Sequence, residues 1–484
     1  QEEAEAFYAA KQAEADEGAT VGLNCRLEKR EGVIRETVWN AHGTYAASIR
    51  QIIYWLERAA AVTESLRQKK IIELLIRFYE TGSLETFDQY SIEWVQETGC
   101  SVDFVNGFIE VYGDPLGFKG AWESIVNIKD HAATERTEII SRNAAWFEAH
   151  SPIDDTFKKS EVKGISAKVI NAVMLGGDCY PATPIGINLP NSDAIRKRYG
   201  SKSVSIQNIT DAYKMAALKS GFDREFILRE EDRRRIRTFG TLAGNLHTDL
   251  HECLGHGSGQ LAEGVRGDEL KNYGSPLEEA RADLFALYFL GDPKLIELGL
   301  IPSFEVTECA YLTYLQNGVI DQLARIEPGK QVVQAHMRCR KLISAWVLER
   351  AATLRHGNES PAAEMVEREG KHYIVVNDRE RLRKIFGQLL REVQRIKSEG
   401  DYDAGRLLVE RYGIRIDPQL HHEVLERYAV LGEAPYSGFL NPVLQPAYDE
   451  NGEISDVKIS YDESYTEQML RYSEEYSFEP LDVG

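Results

Sequence analysis

The chain has 484 residues, with 57 Lys and Arg against 77 Asp and Glu, a formal charge of −20. Hydrophobic residues make up 43% and charged residues 28%, ordinary globular usage that excludes a collagen-like, low-complexity or wholly disordered chain. The acidic balance argues against a nucleic-acid binder, because phosphate neutralisation needs clustered Lys and Arg, and no run of 18 apolar residues marks a transmembrane helix. The length corresponds to roughly three domains. Cys25, Cys100, Cys179, Cys253, Cys309 and Cys339 are scattered with no CxxC pair, so reduced, partly buried thiols are expected.

Along the chain, the first 150 residues read as helical. Between Thr44 and Thr81 the positions Ile49, Ile52, Ile53, Leu56, Ala60, Ile71, Ile72, Leu75 and Ile76 recur at three- and four-residue spacing, an amphipathic stripe. Thr81-Gly82-Ser83 breaks and restarts it. A short β-compatible run, Phe108 to Tyr112, ends in the turn signal Gly113-Asp114-Pro115. Residues 174–200, rich in Gly, Pro and Asn, are expected to be an ordered irregular stretch of functional kind. Charges of both signs between Asp223 and Arg237 indicate a solvated helix face. Residues 304–355 and 378–412 read as long helices. Asn451-Gly452, between VLQPAY and VKISY, signals a hairpin. Residues 448–484 hold eleven acids against Lys458 and Arg471 and are expected to form a solvated edge. The expected fold class is mainly α, with a minor β component.

The strongest chemical signal is His251-Glu252-Cys253-Leu254-Gly255-His256. In the familiar HExxH pattern two histidines at i and i+4 share one helical face. Here they are i and i+5, roughly 140° apart on an ideal helix. A π-type widening by one residue would bring both onto one face, and such bulges concentrate at functional sites. Gly255, with no Cβ, makes the distortion cheaper. A catalytic zinc usually takes three protein ligands and leaves one position open. Glu278-Glu279-Ala280-Arg281-Ala282-Asp283 follows Gly274-Ser275-Pro276, a helix start. Glu279 and Asp283 are i and i+4; Glu279 is assigned to the metal, and Asp283 to the free ring N–H of a ligand histidine. Cys253 is a rival ligand that packs inward instead. One Zn2+ per chain, on His251, His256 and Glu279, is expected.

HECLGH followed by EEARAD resembles the zinc motifs of the dipeptidyl peptidase III family, HExxGH and EECRAE. Ala280 replaces the usual Cys and Asp283 the final Glu, one methylene shorter. NGFIEVYGDPLG (106–117) is similar to GFIESYRDPFG, GINLPNSDA (186–194) to GINIPNYDD, and QAHMRCR (334–340) to QAHMQAR; together the matches span roughly residues 70–430. The resemblance implies a two-lobed zinc peptidase: a helical zinc-bearing upper lobe and a mixed lower lobe that close about a hinge. In those terms residues 1–135, 176–220 and 431–484 belong to the lower lobe, and 136–175 and 221–430 to the upper. Matches that begin this early, and a start at Gln1 without Met, imply a member lacking its N-terminal portion; the motif variant suggests a bacterial one.

Carried over residue by residue, the resemblance implies that Tyr112 stabilises the oxyanion and that His336 assists at the transition state. It implies that Glu110 holds the substrate's amino terminus, that Asn188 and Asn191 bond its backbone, and that Arg340 lies one turn from His336. Glu252, beside ligand His251, is placed as general base. Residues 432–446 lack the basic pair the family uses at the far end of the peptide. The expected function is zinc-dependent release of dipeptides from the N-terminus of oligopeptides. The alternatives are another zinc aminopeptidase or endopeptidase, or a non-catalytic zinc-dependent peptide-binding protein. The expected partners are oligopeptides, with neither nucleic acid nor membrane; a monomer is expected, in the cytoplasm or, alternatively, the periplasm.

Overall fold

The apolar stripe from Thr44 to Thr81 folds as two helices, Ala46–Ala60 and Leu66–Thr81. The break between them was not foreseen; the Ser65 side chain caps the second helix by accepting from Gln68 N, which satisfies an orphan donor of its first turn. Gly82, at φ 76°, ends that helix and Ser83 caps the next, Leu84–Gln96. The structure is a computed structural model and describes residues 2–14, 20–111, 113–162, 168–181, 184, 186–212, 221–265, 269–354, 359–431 and 439–478.

The chain divides into two compact units, one of Gln1–Asp130, Lys168–Thr210 and Ser437–Gly484, the other of His131–Ala167 and Asp211–Tyr436. The first unit carries more sheet than its sequence suggests. Cys25–Arg30 pairs with Val33–Val38 through a turn at Glu31 and Gly32, both with positive φ, a primed-turn hairpin whose charged strands hide the usual apolar alternation. A five-stranded sheet runs, in spatial order, Val102–Phe108, Trp122–Lys129, Lys168–Gly177, Lys202–Ile206 and Gly186–Leu189. All neighbours are antiparallel except the third and fourth strands.

Two expectations need correction here. The strand lies at Val102–Phe108, not Phe108–Tyr112, although Ile109 N and Glu110 O still bond Ala121 beyond it. Within residues 174–200 the structure has the end of a central strand, the Gly186–Leu189 strand and the helix Asp193–Tyr199. Gly and Pro content misreads them as irregular because cross-strand bonds, not local propensity, hold these strands. The C-terminal hairpin forms as expected, Val443–Tyr448 with Ile454–Ser460, Gly452 supplying φ 82° at the turn.

The second unit is helical apart from an unforeseen hairpin, Ala363–Arg368 with Lys371–Val376. Its centre is the helix Gly274–Leu290, apolar on nearly every side, the pattern of a core helix rather than a surface one. The helices Glu230–Leu250, Glu305–Val319, Ala335–Thr353 and Arg379–Glu399 pack round it. The charges between Asp223 and Arg237 pair locally, Arg233 with Glu230, Arg235 with Asp232 and Arg237 with Asp223. The six cysteines are free and buried, and no helix of the described residues is long and apolar enough to cross a membrane.

Candidate metal centre

The helix Glu230–Leu250 does not stop at Leu250. It continues through a π-helical turn, His251–Gly255, closed by His256 N to His251 O at 3.2 Å. This is the one-residue widening that the i, i+5 spacing demands. Gly255 is needed for a reason the sequence did not reveal. A Cβ there would sit 2.8 Å from both Cα and Cβ of Ala282, so the glycine lets the π-turn press against the carboxylate helix.

His251, Glu252 and His256 each offer a ligand atom within 4.8 Å of one another. Glu279 competes with Glu252 for the third place. Its Oε2 lies 3.4 Å from His251 Nε2 and 4.0 Å from His256 Nε2. Ligands bound at about 2.0–2.1 Å in tetrahedral geometry are about 3.3–3.4 Å apart, close to the first distance. Glu279 Oε2 is also buried with no hydrogen bond, whereas Glu252 is exposed. A buried carboxylate oxygen without a donor is costly unless a cation meets it. The fit therefore favours Glu279 as ligand and leaves Glu252 free for proton transfer.

Each histidine is oriented by its own carboxylate. His251 Nδ1 pairs with Asp283 Oδ1 at 2.8 Å, and His256 Nδ1 with Glu278 Oε1 at 2.9 Å. In both, Nε2 is left to face Glu279. Glu278 went unnoticed in the sequence; the available signal was the doubled Glu278-Glu279, one acid on each side of the helix ridge. Glu278 is itself held by Arg281 and Lys397. Arg281, buried, also donates to the carbonyls of His256, at 3.0 Å, and Ser258, at 2.8 Å, fixing the chain just after the second histidine.

The electrostatics follow from these contacts. Burial alone would raise the three acids, but their partners win. His256 and Arg281 hold Glu278 far below the usual carboxylate range. His251 and His336 hold Glu279 down at about 2, and His247 and His251 hold Asp283 well below it. Burial pushes His251 down, yet its bond to Asp283 and its contact with Glu279 raise it to about 10. The acids thus concentrate negative charge round the two imidazoles, which favours a cation there. His247, one turn before His251, is lowered to about 4 by burial.

His336, half exposed, sits with Nδ1 3.2 Å from Glu279 Oε2, a charge contact that raises its pKa. Arg340 follows one turn later on the same helix, Ala335–Thr353. These residues all belong to the second unit. In the first unit Asn191 Nδ2 donates to Glu110 Oε1 at 3.0 Å. Asn188 lies on the strand Gly186–Leu189, opposite Ser203 in register; its side chain, Tyr112 and residues 432–438 fall outside the described residues. Glu123, near Glu110 and unremarked in the sequence, is pushed up to about 7 by burial.

The sequence profile of peptidase family M49 matches residues 20–273 and 263–426. Dipeptidyl peptidase 3 of Mus musculus is 27% identical over 414 residues, which cover 78% of this chain and 54% of that protein. The chain thus spans about half the length of the curated relatives it matches. Among solved structures, DPP III from Caldithrix abyssi aligns with a TM-score of 0.67 and 22% identity over 87% of this chain and 76% of that one. Dipeptidyl-peptidase III from Corallococcus sp. strain EGB aligns with a TM-score of 0.54 and 22% identity over 87% and 74%. The mainly α, two-unit fold is that of these structures, and the profile match over most of its length makes this chain a member of peptidase family M49.

Proposed function

We propose that this chain is a zinc-dependent exopeptidase that releases dipeptides from the N-terminus of oligopeptides. One observation carries the reading: the Nε2 atoms of His251 and His256 flank a buried, donor-less Glu279 Oε2, with exposed Glu252 beside them. Zinc, when bound, supplies Lewis-acid polarisation of a peptide carbonyl and makes water acidic enough to be used near neutral pH.

The chain's own residues do the rest. Glu252 takes the proton from the attacking water and returns it to the leaving amine. Asp283 and Glu278 keep the two histidines turned with Nε2 toward the metal position. His336, held by Glu279, presents an imidazole beside the reacting carbonyl. Tyr112 donates to the oxyanion; removing one such donor typically costs about 10²–10³ in rate. Glu110 pairs with the substrate ammonium, and Asn188 and Asn191 bond its first peptide units, which limits cleavage to the second bond. The similarity to proteins named dipeptidyl peptidase 3 supports the two-residue spacing.

Zinc stoichiometry, with hydrolysis of a dipeptidyl-arylamide before and after chelation, tests the reading. One zinc per chain, chelator-sensitive turnover and resistance of an N-acetylated peptide are expected. Cleavage of the acetylated peptide makes it an endopeptidase instead; zinc and peptide binding without turnover make it a binding protein.

A further inference from the structure

Asp283 and Cys339 are 56 positions apart, on the helices Gly274–Leu290 and Ala335–Thr353, yet Cys339 Sγ donates to Asp283 Oδ2 at 3.2 Å. Tyr314, on the helix Glu305–Val319, donates to the same oxygen at 2.7 Å, and its hydroxyl lies 3.8 Å from the Cys339 sulfur. The other oxygen, Oδ1, faces His251 Nδ1 at 2.8 Å. Asp283, Tyr314 and Cys339 are all buried.

The arrangement is a clamp. Three helices fix the carboxylate: two donors on Oδ2 leave Oδ1 aimed at the imidazole.

We propose that Cys339 and Tyr314 are positioning residues that set His251 for the metal through Asp283. This rests on His251 being a zinc ligand, as in the proposed function. Loss of such an outer partner typically costs about 10–100-fold in metal affinity.

The test, in the full chain, reads zinc affinity by chelator competition and the visible spectrum of the cobalt-substituted protein. Cys339→Ala is expected to weaken zinc by about 10-fold or more, and Cys339→Ser, which keeps a donor, to stay near the parent. Tyr314→Phe should weaken zinc and shift the cobalt spectrum. A Cys339→Ala protein that melts lower with and without metal but binds zinc like the parent overturns the clamp, leaving plain packing. A parent chain that binds no zinc overturns the proposed function and the clamp together, which separates that failure from the first.

Discussion

Three acids of the second unit and two of the first have opposite fates. Asp283 is buried and Glu278 and Glu279 are half-buried on a core helix, yet all three are held below the usual range. Glu123 is buried on the strand Trp122–Lys129 and is pushed up to about 7; Asp88, on the helix Leu84–Gln96, is pushed up to about 6. Burial acts the same way in both places. The difference is the company: histidines, Arg281 and Lys397 surround the first set, whereas Glu123 has a thiol donor, Cys179, and acidic neighbours in Glu110 and Asp178. Among these five carboxylates, the cations within reach outweigh burial in the first set and are missing from the second.

The comparison can be broken most sharply at Glu252, the one acid of the metal centre that stays exposed. Glu252→Gln is expected to keep its zinc and lose about 10²–10⁴-fold in dipeptidyl-arylamide hydrolysis; turnover near the parent's would remove Glu252 as base. Glu279→Ala should release the metal, lowering affinity by more than the about 10–100-fold typical of an outer partner, as measured by chelator competition. Glu278→Gln should fall within that about 10–100-fold range, because His256 keeps its place but loses its charged partner. Equal losses for Glu278 and Glu279 would mean that the ligand assignment does not separate them.

The smallest effect belongs to the first unit. The Glu123 pKa is raised above its ordinary value, so the folded state holds this proton more tightly than the unfolded one. Stability from this group is therefore fully present below about pH 4.5 and declines as pH rises through about 7. Glu123→Gln should flatten that decline and gain on the order of 1–2 kcal/mol at pH 8, read from denaturant unfolding at several pH values. An unchanged pH profile would show that Glu123 is ionised without cost.

Much of the metal centre was legible because its signal is local. Two histidines at i and i+5 can share a metal only through a widened turn, and the π-turn at His251–Gly255 is that turn. That Asp283 would orient a ligand histidine could be anticipated because i and i+4 spacing puts Glu279 and Asp283 on one ridge. The hairpin at Asn451-Gly452 was legible because Gly452 supplies the left-handed residue its turn requires. The two other hairpins were missed: their strands are charged and their turns, Glu31-Gly32 and Glu369-Gly370, lack the usual Asn or Asp. The strand at Lys168–Gly177 and the sheet order were hidden because pairing joins residues far apart in sequence.

The sequence by itself determined the clustering of His251, His256 and nearby acids, the need for a π-turn and the helical character of the second unit, all of which rest on spacings of a few residues. Only the tertiary structure decided which acid serves which histidine, that Arg281 ties down the chain after His256, and that Cys339 and Tyr314 hold Asp283. Those partners come from three or more helices, and their contacts exist only once packing round the helix Gly274–Leu290 has brought the helices together. The same packing decided why Gly255 must be glycine: the obstacle is Ala282 of another helix, which no reading of the turn alone could supply.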